Sequence, residues 1–560
     1  MNAYLVDALR EIMQALQKRL EVHEGDVVAL FRRVETGELR MPEVLSFQEI
    51  EYALALFGWV ASVGPRKILV NIQPLLLKPK TLNGDIALGV FFNDPAFAGS
   101  PPIPCDCIDK RTLIRLTVLI VSYIFYDEFH YPQPEAGVYD IAVNPFQKLK
   151  WLYRYWFNQL EVAEKYSGLE AVFSAQNLHH LSIKVPEVTG LASLSISCAG
   201  DLLAVDALTP ENTSHLFDDI VDFYSTTDIV SANLESTVDD SKEVGRTQSS
   251  GQPAQMNTSK KMFNKFIAEA KINFFSTATN HSMDWGDDSV VATLDVLKKS
   301  KALYAGTAAS KAEQDDIVIY EKNGIRVALL SFTMDLNGYK TPIDKSYLVN
   351  EVRFNDVDPA PDYSLIKRQV KEAKDKGVNW IIAYCHWGWE FEMYPHVNVR
   401  QAAHDIIECG VDTILGNHAH VSQPSELISR ADKQDALVVY SFGDFVSYHP
   451  ESRNSKISYI IKFDIVEVKL ALPDVHDSET KGICLNTYEL LGLDALPIYI
   501  VNEKLADGRF NCRVVKFYDV LENPDGYGLT EMEKTQLPHL RDKVWKDILS
   551  PLSSISRQTR

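Results

Sequence analysis

Val411-Asp-Thr-Ile-Leu-Gly-Asn-His-Ala-His420 is a short apolar run that ends in Gly416 and delivers two histidines one residue apart. If the chain stays extended, His418 and His420 share a face, because side chains alternate along a strand. Two imidazoles at a strand end offer neutral nitrogen lone pairs, which is a metal-ligand arrangement. Read in isolation, the stretch equally admits a pair of solvated loop histidines. The choice between them rests on the rest of the chain.

From residue 191 onward, β-prone runs alternate with helical ones. The β runs are Leu194–Ala199, Ile229–Ala232, Ile272–Ala278, Val327–Phe332, Trp380–Tyr384, Val411–Leu415 and Leu437–Ser441. Helical spacing occupies 212–226, 258–270, 287–300, 362–376 and 397–409. Such alternation predicts an α/β domain with a largely parallel sheet. The polar segment Ser236–Ser259 reads as a long mobile loop. Beyond 462, Phe463–Leu472, Ala495–Val501 and Cys512–Tyr518 read as strands and Thr530–Leu549 as a terminal helix.

In open α/β sheets ligands bind beyond the carboxyl ends of the strands. Here those ends carry Gly200-Asp201, Asn233-Leu234-Glu235, Thr279-Asn280-His281, His386 to Glu390, the His418/His420 pair and Gly443-Asp444. Each alone is ordinary turn or cap chemistry. Together they bring carboxylate, amide and imidazole donors to one edge. That donor set suits manganese, iron or zinc and is too rich in imidazole for calcium.

The order Gly-Asp, Asn-Leu-Glu, Asn-His-x-x-Asp-x-Gly, His-Trp-Gly-x-Glu and Gly-x-His-x-His resembles the CapA family. These are poly-γ-glutamate capsule-synthesis proteins within the calcineurin-like metallophosphoesterase superfamily. Tyr440–Phe445 is similar to that family's closing motif, with Asp444 where Asn is usual. The resemblance runs from about 194 to 462, roughly half the chain. It implies a four-layered α/β/β/α sandwich holding two divalent transition-metal ions. On that pattern Asp201 and His420 hold one ion, Asn280, His386 and His418 the other, and Glu235 bridges them. His281 meets the substrate, and Asn233, Asp284 and Glu390 support it. Leu203 stands where most calcineurin-like enzymes place a further histidine ligand, an absence usual among CapA-like proteins.

The implied chemistry is metal-dependent hydrolysis of a phosphoester or a poly-γ-glutamate-related substrate. The same site suits a second chemistry, in which a Lewis acid assists α-carbon epimerisation of a peptide. A third reading is a non-catalytic partner of a peptide or polyglutamate synthesis complex.

The 560 residues suggest several domains: a mainly helical segment over 1–190, the metallophosphoesterase-like domain over 191–462 and a C-terminal α/β extension over 463–560. Helical texture in the first segment lies at 1–20, 47–62, 111–129 and 146–166, the last rich in aromatics that read as core packing. Docking of a protein or peptide through 1–190 is a further expectation. A net charge of −20 argues against nucleic acid or an anionic membrane as a partner gripped by general electrostatics. An anionic small-molecule or peptide substrate would then need a local positive centre.

The seven cysteines are scattered with no CxxC pair, and Cys198, Cys385 and Cys409 sit in apolar stretches as expected for buried thiols. Asp7 and Glu11 interrupt the N-terminus, and the longest apolar run, Leu116–Tyr126, is too short to span a bilayer. The expectation is a cytoplasmic protein.

Overall fold

A computed structural model describes residues 125–133, 145–157, 159–184, 192–204, 207–248, 253–431, 433–471 and 484–557, with Val118 and Ser122 besides. The helices expected at 1–20 and 47–62, and most of that at 111–129, lie outside the described residues. Among the described residues no helix is long and apolar enough to cross a membrane.

Two sheets dominate, and helix α1 (Pro145–Trp156) precedes both. The first sheet is built from β1 (Ser193–Leu203), β2 (Ile229–Glu235), β5 (Phe274–Ser276), β6 (Leu303–Ala305), β13 (Asp444–Val446), β14 (Ile457–Ala471), β15 (Cys484–Lys504) and β16 (Phe510–Lys516). Its order is β16-β15-β14-β1-β2-β5-β6, with β13 also paired to β1. The second comprises β7 (Val318–Lys322), β8 (Ile325–Thr333), β9 (Trp380–His386), β10 (Thr413–Asn417), β11 (Ser425–Ile428) and β12 (Ala436–Val439). Its order is β11-β12-β10-β9-β8-β7. A separate hairpin pairs β3 (Gly245–Gln248) with β4 (Ala254–Asn257). β1, β2, β5 and β6 are parallel, as are β8, β9, β10 and β12. The result is a mixed α/β architecture whose parallel cores are those the alternating pattern predicts.

Period-two alternation decides what each strand contributes. Along β2, Val230, Ala232 and Leu234 join one apolar core with helices α2 (Lys260–Ala270) and α3 (Asp287–Ser300). Ser231, Asn233 and Glu235 therefore point the other way, toward the second sheet. Tyr384 of β9 donates its hydroxyl to Ser231 Oγ at 2.9 Å, and its ring packs on Phe274 at 4.9 Å. Tyr384 and His386 share that inward face. Helices α4 (Ser364–Asp375) and α5 (Val397–Cys409) bury Ile366, Val370, Val399 and Ile406 in the second core.

Several expectations change. The helix expected over 212–226 is reduced to the single turn Val221–Tyr224. Ser236–Ser259 is not a featureless loop, since it carries the β3–β4 hairpin. Buried Asn257 organises it, accepting from the Asp239 N–H at 2.9 Å and donating to the Asp239 carbonyl at 2.8 Å. Polarity in this segment reflects backbone bracing. The division expected at 462/463 falls inside β14, which pairs with β1 and β15 across that point. The expected terminal helix begins as Glu531–His539 and continues as a π-helical stretch over Leu540–Ile548. Cys198 and Cys385 are buried, whereas Cys409 is only partly so.

From the described part of the N-terminal segment, α1 and the chain after it pack on the two-sheet body. Glu161 Oε1 accepts from Arg453 at 2.6 Å, Asn454 at 2.7 Å and His539 at 2.8 Å. Burial alone would raise this carboxyl, but the His539 and Arg453 contacts outweigh it and hold it at about 2. A depressed folded pKa stabilises above the unfolded value and loses that contribution on acidification. We expect Glu161→Gln to cost roughly 3 kcal/mol in denaturant unfolding at neutral pH. The difference from the parent chain should close as pH falls from 4.5 to about 2.

Candidate metal centre

The strand ends converge where β1, β2, β9 and β10 terminate. Asp201 lies opposite Asn233 and Asp444 in the first sheet, and His386 lies opposite Asn417 in the second. The register of β1 shifts between Cys198 and Asp201, an irregularity that re-aims the Asp201 side chain inward. Gly200 makes this possible, since a Cβ there would sit 1.8 Å from the Gly443 carbonyl oxygen. Gly416 has the same reason, with the Tyr440 carbonyl oxygen 2.0 Å from where its Cβ would be.

The chain is not extended at the two histidines. His418 has φ +93° and His420 φ +52°. Both are in the left-handed region, costly for residues with a Cβ and typical of functional sites. The rings do not simply share a strand face. They stand 5.9 Å apart with planes inclined at 52°. The His418 N–H donates to Asp201 Oδ2 at 3.1 Å, so the turn is tied to the first sheet.

Glu235 occupies the middle. Its Oε1 lies 3.4 Å from His386 Nε2, 3.7 Å from His420 Nε2 and 4.0 Å from His281 Nε2. Glu235 is fully buried, yet neither carboxylate oxygen has a hydrogen-bond partner among the described residues. Both ring nitrogens of buried His418 are likewise without one there. Potential ligand atoms of Glu235, His386 and His418 fall within 4.8 Å of one another, and so do those of Asp201, Glu235 and His420. Buried polar atoms normally find partners. Five side chains turned toward one another, with the ligand atoms of Glu235 and His418 unpaired, fit a cation that none of the protein groups replaces.

The surrounding contacts orient these groups. Asn233 Nδ2 donates to Asp201 Oδ1 at 2.7 Å and lies 3.1 Å from His386 Nδ1. Asn280 Oδ1 is 2.8 Å from His386 Nε2, and its amide nitrogen donates to Asn337 Oδ1 at 3.1 Å. His420 Nδ1 pairs with Asp444 Oδ1 at 2.8 Å, which turns Nε2 toward Glu235. His281 Nδ1 pairs with Asp284 Oδ2 at 2.7 Å, leaving Nε2 toward the pocket. Asp284 Oδ2 also accepts the Met256 N–H at 2.6 Å, so the β3–β4 hairpin braces this pair.

Burial pushes Asp201 up to about 7, with His420 opposing and Asp444 adding to the rise. Burial raises Glu235 well above the usual carboxylate range, and the neighbouring Asp201 charge raises it further. His386 and His418 are driven well below the usual imidazole value by burial and by the other histidines. Burial would lower His420 too, but Glu235 and Asp444 raise it well above 6.5. Neutral imidazoles and ionised carboxylates are the forms that donate to a cation, so a bound ion would displace the protons that burial favours on Asp201 and Glu235 and that Glu235 and Asp444 favour on His420.

The ten residues given a role from sequence meet here: Asp201, Asn233, Glu235, Asn280, His281, Asp284, His386, Glu390, His418 and His420. Three more, Asp444, His449 and Asn337, belong to the neighbourhood and were not read as ligands. Glu390 groups with His418 and His420, and Asp444 and His449 group with His420. Asn337 orients Asn280. Glu390 and Asp444 stand in quoted motifs. His449 and Asn337 follow no strand-end motif and carry no signal of their own.

The fold and the pocket define an α/β protein with a buried carboxylate–imidazole cluster of metal-binding type. Residues 195–449 match the bacterial capsule synthesis protein family PGA_cap. The chain is 27% identical over 258 residues to the PGA biosynthesis protein CapA of Bacillus subtilis, covering 45% of this chain and 63% of that one. It is 25% identical over 294 residues to the capsule biosynthesis protein CapA of Bacillus anthracis, covering 50% of this chain and 66% of the other. It thus spans just under two thirds of the length of these relatives. A hypothetical protein from Thermus thermophilus aligns at 12% identity with a TM-score of 0.28, over 53% of this chain and 98% of that one. That likeness is too slight to carry argument. The central segment of this chain is thus similar to the CapA-family proteins.

Proposed function

We propose that the cluster is a binuclear metal centre and that the chain is a metal-dependent hydrolase acting on a phosphoester or a poly-γ-glutamate-related substrate. In this reading the two facing sheets and their helices form a four-layered α/β/β/α sandwich with the centre at one edge. The observation that carries it is Glu235, buried between two donor groups with neither oxygen paired among the described residues. Asp201 and His420 would hold one ion, His386, His418 and Asn280 the other, and Glu235 both. Two divalent ions supply Lewis acidity, a water activated at neutral pH and a clamp for an anionic group. The name of the Bacillus subtilis relative, a PGA biosynthesis protein, supports a polyglutamate-related substrate, and that of the Bacillus anthracis relative supports a role in capsule biosynthesis.

The protein's own residues do the rest. His281, held by Asp284 through Nδ1, presents Nε2 where it can give a hydrogen bond or proton to a reacting oxygen. Asn233 holds Asp201 in place through its amide. Leu202, Leu203 and Leu234 are buried beside the strand ends, and in such an apolar setting each charge interaction is stronger than in water.

The test is titration with manganese of protein stripped of metal. We expect about two ions per chain. Binding should release protons, because burial raises Asp201 and Glu235, His420 is raised despite its burial by Glu235 and Asp444, and each acts as a ligand only in its deprotonated form. The affinity should therefore weaken on acidification, by up to about tenfold per pH unit for each proton displaced. Calorimetry in buffers of different ionisation enthalpy reads this directly. A stoichiometry of zero with manganese, iron and zinc alike would overturn the metal reading. Two ions with no turnover of aryl phosphates or γ-glutamyl peptides would leave the centre and remove the hydrolase.

A further inference from the structure

Helix α1 grips the loop that follows β9 residue by residue. Trp151, Arg154 and Tyr155 are three and four apart, so they share one helical face. The Trp151 indole N–H donates to Glu390 Oε2. Trp151 and Tyr155 pack on Phe391 with ring centroids at 5.5 and 5.3 Å. Arg154 forms a 2.7 Å ion pair with Glu392, both side chains almost wholly buried. Tyr155 also reaches His449 at 5.9 Å. Three consecutive loop residues are thus each held by one helical face.

The loop needs such holding. Residues 387–396 contain no helix or strand, and Phe391 has φ +63°. The Phe391 N–H donates to the Ala419 carbonyl at 2.8 Å, between the two histidines. Glu390 brings a carboxylate oxygen within 4.8 Å of nitrogens of His418 and His420. A carboxylate has two oxygens, and the indole engages one of them. The backbone contact at Phe391 seats the loop but leaves the Glu390 side chain to be aimed by its own partner.

We propose that Trp151 is a positioning residue for the centre. Its indole fixes the Glu390 carboxylate so that Glu390 serves as a further ligand beside His418 and His420. Residues 145–157 then belong to the site and are not merely packed against the catalytic domain. This rests on the metal reading above. Contacts that orient ligands typically account for 10- to 100-fold in metal affinity.

The test compares manganese titrations of the full-length parent chain, Trp151→Phe, Glu390→Gln and the double variant. Phenylalanine keeps an aromatic ring against Phe391 and loses the N–H. We expect W151F to weaken one of the two ions about tenfold or more, with the other unchanged. E390Q should weaken the same ion, and the double variant should lose no more than E390Q alone, since the indole acts only through the carboxylate. Tyr155→Phe, which leaves the ring packing intact, should bind both ions as the parent does. Unchanged titration of W151F, or losses that add fully in the double variant, would overturn the proposal. Glutamine keeps the size of Glu390 and an acceptor for the indole, so E390Q decides the matter even if W151F does not fold. An E390Q protein that binds both ions like the parent would also overturn it. A parent chain that binds no manganese would instead sink the metal reading itself.

Discussion

Glu235→Gln protein, purified without chelator and supplemented with manganese, is expected to retain fewer than one ion per chain. The parent should retain two. Glu235 sits within ligand distance of both His386/His418 and Asp201/His420. A neutral amide offers one oxygen and no charge, so it cannot serve both groups. Loss of an orienting contact alone costs about 10- to 100-fold in affinity, so removal of a shared ligand should cost at least about 100-fold at each site. Stability should move the other way. In the metal-free chain, burial and the neighbouring Asp201 hold the Glu235 carboxyl well above its usual value. A group raised on folding contributes least at high pH, because its stabilisation fades as pH rises from its unfolded to its folded pKa. Metal-free E235Q should therefore be at least as stable as the metal-free parent at pH 8, read by thermal unfolding. A lower melting temperature than the parent, with metal content preserved, would mean that Glu235 is a structural carboxylate.

How far this arrangement is legible in the sequence depends on the distance over which each residue is determined. β2 and β9 are short runs whose alternation is local, and their ends carry Glu235 and His386 whatever lies elsewhere. That is why the strand-end reasoning brings together residues far apart in the chain, from Asp201 to His420. The His418/His420 turn is different. An extended chain is the natural reading after β10, but both residues take positive φ because the turn must reach back to Asp201 and Ala419 must meet Phe391. The β3–β4 hairpin hides for another reason. Its stability comes from Asn257 and from Asp284 accepting the Met256 N–H, and neither is an apolar signal. Trp151 is the extreme case. Its aromatic neighbours read as core, and they do pack, but the indole N–H finds Glu390 239 residues away. No periodicity within a helix encodes a partner on a loop of another element.

His281→Ala is expected to keep both metal ions and lose turnover by about 10²–10⁴-fold, the range for a positioned acid–base group. Its Nε2 is 4.0 Å from Glu235, farther than His386 or His420, and its Nδ1 is committed to Asp284. That geometry places it over the centre and outside the tight donor groups. Asp284→Asn separates orientation from chemistry. An asparagine can still accept from Nδ1–H, but it brings no negative charge to that contact. It also disturbs the Met256 contact that ties the dyad to the hairpin. We therefore expect D284N to show a smaller loss of turnover than H281A, with unchanged metal content. In the double variant the D284N loss should largely disappear, because Asp284 acts through a histidine no longer there. Independent, additive losses would show that Asp284 serves the fold through Met256 and that His281 works without it. Loss of an ion in H281A would make His281 a ligand and require another residue to meet the substrate.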